Sequence, residues 1–333
     1  MELPCSRAFI VIFFLLSAMT ISFLIALERT KLATQSYEYH SRGWLRETTK
    51  WDQQNRRFIV SLMEGGLGEI PVPKEHVAGT ILEEKTLVVD PDIGSGNCSL
   101  GFVIDRPRNR LVVVVADLMR GTFGGLASYD MATWHRLFLT RLAGPGNEKS
   151  LADDVAVDAD GNAYVTDAKA SKIWKVGPNG NLIKVIKSHL FRPNKEWYYN
   201  FVGLNGIVYH PDGFLLTVHT FGGVLFKISN LGSKEEAVQK VELLNGFSLV
   251  LGDGIELLSS TQLIVSGTPS GRLVESNDGW ATARVVGRYM GPMHRVATSA
   301  TVKDGKAHLS HLFGGGFPTK KHVIVEAVFS PLK

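Results

Sequence analysis

Residues 151–166 read LADDVAVDADGNAYVT: a polar start, an alternating apolar strand, an Asp-Gly turn and a second strand. The pattern returns at 203–218, GLNGIVYHPDGFLLTV, and at 252–266, GDGIELLSSTQLIVS. Placing Thr166, Val218 and Ser266 in register sets Asp153, Asn205 and Asp253 at one equivalent position, 13 residues upstream in each copy. Three weaker copies extend the register: 50–61, with one residue inserted, brings Glu47 to the slot, 102–116, with a similar insertion, brings Leu100 near it, and 296–310 places Ala297 there. The slots are spaced 53, 53, 52, 48 and 44 residues apart, a period that fits a four-stranded propeller blade. Six copies predict an all-β, six-bladed β-propeller.

A second spacing supports the repeat. In three copies a third strand is centred 7 residues past the register residue, at Ile173, Leu225 and Leu273. Asn179-Gly180 and Asp278-Gly279 are hairpin signals, because tight hairpins require the positive φ that Gly and Asn or Asp tolerate. The stretch 233–244 suits either a helix or an outer strand. The alternating stretch 321–330 is expected to help seal the ring, which leaves no open sheet edge.

The chain has 333 residues, 44% of them hydrophobic, and 34 glycines, enough for one large turn-rich core. Its formal charge of +4 is dispersed along the sequence, which argues against a nucleic-acid partner. A monomer acting on a small-molecule substrate is expected.

Residues 8–27, AFIVIFFLLSAMTISFLIAL, are uncharged and about as long as a bilayer is thick. They predict a transmembrane signal-anchor helix, with a cleaved signal as the alternative, and place the protein in a membrane of the secretory pathway or outside the cell. Arg7 on one side and Arg29 and Lys31 on the other leave the orientation open. The division that follows is an anchor at 1–27, a tether at 28–43 and the propeller at 44–333. The two cysteines, Cys5 and Cys98, flank the apolar segment, which argues against a disulfide framework. Asn97-Cys98-Ser99 is a glycosylation sequon, meaningful if the propeller lies in the lumen or outside the cell.

Inner-strand starts in a propeller face a common axis, so Glu47, Asp153, Asn205 and Asp253 are expected to converge. Three carboxylates gathered there repel one another unless a cation neutralises them. An all-oxygen set without His or Cys suits a hard ion, calcium before other divalent cations.

The segments WLRETTKWD, ADDVAVDADGNAYVTD, LNGIVYHPDG and GDGIELL resemble the senescence marker protein and gluconolactonase family, calcium-dependent six-bladed propellers related to the paraoxonases and diisopropyl fluorophosphatase. The resemblance covers about residues 44–330. It implies metal ligands at Glu47, Asn205 and Asp253, and a second role for Asp253 as catalytic carboxylate. Two departures stand out: Asp153 where the family usually has Asn, and Thr48-Thr49 where it has Gly-Pro. Related hydrolases place a histidine near the metal, and His294, three residues before the sixth slot, is the candidate. The expected function is calcium-dependent hydrolysis of lactones, esters or phosphotriesters. The alternatives are a metal-independent propeller like strictosidine synthase and a non-catalytic scaffold.

Overall fold

The structure, a computed structural model, describes residues 7–29, 34–93, 96–121, 123–142, 150–192, 198, 201–269 and 271–332. Cys5 and Lys31 lie outside the described residues. The chain begins with a helix, Arg7–Arg29. Its stretch Phe9–Leu27 is long and apolar enough to cross a membrane and none of it is buried against the rest of the protein. Among the described residues the elements that follow are β-strands and short 3-10 turns.

Among the described residues the strands fall into six ladders, each with four antiparallel strands, some joined or extended at the outer edge by short further pairings. The first holds Arg46–Asp52, Arg57–Leu62, Leu67–Pro71 and Lys85–Val88; the second holds Cys98–Asp105, Arg110–Ala116, Gly124–Asp130 and Arg136–Arg141. The third runs through Ala152–Val157, Ala163–Asp167, Ile173–Val176 and Leu182–Ile186, and the fourth through Leu204–His210, Phe214–His219, Val224–Ser229 and Ala237–Leu243. The fifth contains Gly252–Leu257, Gln262–Gly267, Gly271–Glu275 and Thr282–Tyr289, joined at its outer edge to the fourth by a short parallel pairing. The sixth starts with Ala297–Lys303, Lys306–His311 and Lys320–Glu326, takes Ser36–Ser41 from the other end of the chain as its fourth strand, and carries Ile81–Glu83 in parallel at its outer edge. The first strand of each ladder lies against the first strand of the next, and the sixth returns to the first. The arrangement is propeller-like.

The N-terminal strand corrects one expectation and completes another. Residues 36–41 are paired, so the tether read at 28–43 is strand in its second half. The seal is made by those residues closing on Lys320–Glu326, which hides both edges. Tyr37 and Tyr39 explain why this polar-looking stretch docks: both are 1% exposed, and they alternate inward among Trp51, Phe58 and Ile324. The ambiguous stretch at 233–244 is strand, Ala237–Leu243.

The core lies between neighbouring ladders. The second strands are the most deeply buried: RLVVVVA at 110–116 has no exposed residue, as expected of a β-branched run covered on both faces. His219, His308 and His311 are likewise buried packing residues on strands.

Each inner strand carries a bulge at its start. In the third ladder Ala152 pairs with Asp167 and Val155 with Val165, so Asp153 and Asp154 together stand opposite Thr166. The same two-against-one register occurs at Glu47-Thr48, Leu100-Gly101, Asn205-Gly206 and Asp253-Gly254. A bulge strands backbone groups, and hydroxyls from the second strand fill them. Thr166 Oγ1 accepts from Asp154 N at 3.1 Å, Ser61 Oγ accepts from Thr48 N at 2.9 Å, and Ser266 Oγ donates to Gly254 O at 2.7 Å.

Candidate functional site

The bulges bring Glu47, Asp153, Asn205 and Asp253 to equivalent starts of four inner strands, as the repeat predicts. The sixth copy differs. Its hairpin is one residue shorter, Ala297 pairs with His311 and Ser299 with Ser310, so Thr298 and not Ala297 holds the slot. Thr298 Oγ1 donates to Glu47 O at 2.6 Å and thereby ties the last inner strand to the first. Leu100, 1% exposed, fills the second slot as expected.

Glu47, Asp153 and Asn205 border a cavity of about 10 Å³, room for one water-sized occupant, together with Thr48, Lys50, Gly101, Asp154, Gly254 and Ser299. Asp253 joins this group through a side-chain hydrogen bond with Asn205. The carboxyls lie deep in the protein and feel one another. Burial, then Asp253 and Asp153, hold the Glu47 carboxyl well above its ordinary value, partly offset by the Thr48 hydroxyl, which donates to Glu47 Oε2 at 2.7 Å. Burial, then Asp253 and Asp154, do the same to Asp153. Burial pushes Asp253 up to about 7, against the hydrogen bonds from Asn205 and Gly254.

A second level lies beneath, which reading the slot alone missed. Asp154 follows Asp153 in the third bulge, where the second, fourth and fifth ladders have Gly101, Gly206 and Gly254. These glycines permit close approach: a Cβ on Gly101 would sit 2.2 Å from Asp154 Oδ1, and one on Gly254 would sit 2.6 Å from Thr298 O. Burial raises Asp154 to about 6, while Lys50 and the N–H groups of Val155 and Ile207 draw it back. Lys50 pairs with Glu256 and donates to Ala300 O at 3.1 Å. Burial would lower the Lys50 ammonium, but Glu256 and Asp154 outweigh it and raise it. The signal was present in the sequence: Lys50 and Glu256 each stand three residues after a slot residue.

His294 is placed elsewhere. It lies in the turn Met293–Arg295, its charge acts on His311, and it is not among the described residues that border the axial cavity. Asn97 of the sequon donates its side-chain amide to Ile93 O.

As donors, the quartet is all oxygen: three carboxylates and one amide. Among the described residues no group of three His, Cys, Asp or Glu side chains stands in a metal-coordinating arrangement. Glu47 is turned toward Thr48.

No protein-family model matches the chain, and no curated protein matches its sequence. Solved structures do match in shape. The major Malassezia sympodialis allergen Mala s 1 is 14% identical, with 87% of this chain and 96% of that chain covered and a TM-score of 0.67. A luciferin-regenerating enzyme is 10% identical over 88% of this chain and 95% of its own, with a TM-score of 0.57. A putative gluconolactonase is 12% identical over 91% and 95%, with a TM-score of 0.53. At these identities the likeness is one of fold, and the chain is an all-β, propeller-like protein with an apolar helix near its N-terminus.

Proposed function

We propose that this chain is a six-bladed propeller hydrolase of lactones, esters or phosphotriesters, held at a membrane by residues 8–27 and dependent on a divalent cation, calcium first. The observation that carries the reading is the convergence of Glu47, Asp153, Asn205 and Asp253 from four inner strands, with Asp253 and Asp153 raising the Glu47 carboxyl and Asp253 raising Asp153. This donor set fits a hard ion, since every ligand atom is oxygen and the buried negative charge lacks full compensation by Lys50. Glu47, Asp153, Asn205 and Asp253 would hold it, with Glu47 turning from the Thr48 hydroxyl. The bound ion would supply Lewis acidity toward a carbonyl or phosphoryl oxygen.

Asp253 is the proposed catalytic carboxylate, acting as general base toward water or as direct nucleophile. With one oxygen on the ion, its other carboxylate oxygen would take the proton of a water or attack the substrate directly. Asn205 orients it through their hydrogen bond. His294, whose charge acts on His311, is the proposed second functional residue, with no step assigned to it.

One observation favours the alternative of a metal-independent propeller or scaffold: the three carboxylates do not stand at coordinating separations. Turnover of a lactone, an aryl ester and a phosphotriester, with and without chelator, separates the readings. Hydrolysis that chelator abolishes and calcium restores supports the proposal. Hydrolysis indifferent to chelator supports the metal-independent alternative, and no hydrolysis of any of the three supports a scaffold.

A further inference from the structure

Among the described residues beyond the N-terminal helix, the exposed aromatic side chains are Trp44, Tyr198, Phe201, Phe313 and Phe317. All five stand at one end of the ring, the end that carries the slot. Trp44 follows the closing strand at Ser41, Phe313 and Phe317 lie between His311 and Lys320, and Tyr198 and Phe201 precede the inner strand that begins at Leu204. Ser41 pairs with Lys320, Ala297 with His311 and Leu204 with His219, which sets these connections level with the slot residues. We propose that this face docks on a lipid surface bearing anionic headgroups. The inference rests on the reading that residues 8–27 hold the chain at a membrane.

The larger aromatic cluster is built to stay exposed. Trp44, Phe313 and Phe317 are 55%, 44% and 88% exposed, and they form one patch: Leu45 bridges to Phe313, and Gly314 N donates to Trp44 O at 2.9 Å. Beneath the patch lies Lys320, 6% exposed. Its ammonium is 4.5 Å from the centre of the Trp44 ring and 5.2 Å from that of Phe317, and it donates to Pro318 O at 2.7 Å. One buried cation thus holds two rings outward. In the second cluster Phe201 packs edge-on against Phe221, with ring centres 5.7 Å apart. Contiguous exposed apolar patches of this kind mark contact surfaces.

Their placement favours a plane over a small ligand. The first cluster belongs to the sixth and first ladders and the second to the third and fourth, so the two stand across the ring from each other. A small molecule reaches one cluster; a bilayer surface reaches both. Charge agrees with a lipid surface. Arg42, Arg120, Lys169, Lys187 and Arg192 are exposed in connections at this end, whereas the exposed acids described there, Glu64 and Asp92, already pair with Arg46 and Arg136. Aromatic rings among basic side chains suit the headgroup level of a membrane with anionic lipid. The chain also permits the approach. From Arg29 to Ser36 it can extend to about 24 Å, more than the roughly 17 Å that the closing strand spans from Ser36 to Ser41, so the slot end is within reach of the surface where the helix emerges.

The test uses the full chain in nanodiscs of brominated phosphatidylcholine, with or without phosphatidylserine. A tryptophan is introduced at this face by Phe317→Trp, or at the opposite end by Val77→Trp, where the native side chain is 68% exposed in the connection after strand Leu67–Pro71. Quenching is read as the difference from wild type. Both positions are exposed, so both variants should keep the wild-type thermal midpoint. Quenching at 317 and not at 77, increased by phosphatidylserine, is expected. Adding Arg120→Gln/Lys169→Gln to Phe317→Trp should lower the docked-to-undocked ratio about fivefold for each charge removed. Release of the wild-type chain from vesicles by alkaline carbonate sinks the anchor, and the docking with it. A chain that stays with the vesicles yet is quenched equally at both positions, or at neither, overturns the docking alone. Quenching at 317 that ignores phosphatidylserine overturns the assignment to anionic headgroups.

Discussion

Lys50 and Glu256 form an ion pair that reaches from the first inner strand, past the sixth, to the fifth, with Ala300 O of the sixth as a further acceptor for the same ammonium. Its ammonium places a positive charge close to Asp154 and Glu47, which Glu256 partly offsets. It fastens the ring and also competes with any cation bound above it.

Lys50→Met should therefore have two effects of opposite sign. Leaving Glu256 and Asp154 uncompensated costs about 1–3 kcal/mol of stability without added ion, below the range for a fully buried pair because Glu256 keeps 29% side-chain exposure. Removing a positive charge beside the quartet should tighten calcium binding. Thermal unfolding in chelator and calcium titration of the same variant check both, and a stable variant with unchanged affinity would refute the role.

Asp153→Asn relieves repulsion among three buried carboxylates. In chelator at pH 8 the variant should be more stable than wild type by on the order of 1 kcal/mol, the equivalent of about one pKa unit. Its calcium affinity should fall. Chemical unfolding measures the first effect and calorimetric titration the second.

His219, His311 and His322 are each pushed down to about 4, by burial first. Because their folded pKa lies below the unfolded value of about 6.5, the unfolded chain takes up more protons between these limits. The stability these neutral imidazoles contribute is whole above about 6.5 and is lost as pH falls toward about 4. The raised carboxyls of the quartet act with the opposite sign, so a difference measurement is needed. His311 bonds Val323 O through Nδ1 at 3.3 Å, and Asn can replace that donor without titrating. The fall in thermal midpoint from pH 7 to pH 4 should be shallower in His311→Asn than in wild type.

Gly101→Ala places a methyl 2.2 Å from Asp154 Oδ1 and 2.5 Å from Asp154 Cα, where backbone must move. A loss of about 1–3 kcal/mol is expected. Gly279→Ala, with nothing within 4 Å but φ +70°, provides a comparison that reports backbone strain without a clash.

The repeat was legible because one physical requirement recurs. A slot residue opens each bulge and one second-strand residue faces it, so Thr166, Val218 and Ser266 each stand 13 residues after Asp153, Asn205 and Asp253, and Ser61 stands 14 after Glu47. That distance depends on hairpin length, and the shorter sixth hairpin shifted the slot from Ala297 to Thr298. The closing strand at 36–41 was missed because its pairing partner lies at 320–326, and its short alternation of Tyr37 and Tyr39 has no local turn to announce it. Lys50, Asp154 and Glu256 were missed because attention to one position per repeat ignores the charges that neutralise it.

The most direct test is thermal unfolding of the full chain in chelator and in saturating calcium. A cation held by Glu47, Asp153, Asn205 and Asp253 should raise the midpoint in wild type, with about 4 kcal/mol of added stability at a thousand times the dissociation constant, and should do so far less in Asp253→Ala. Equal midpoints for the chelated and calcium-saturated wild-type protein would contradict the site.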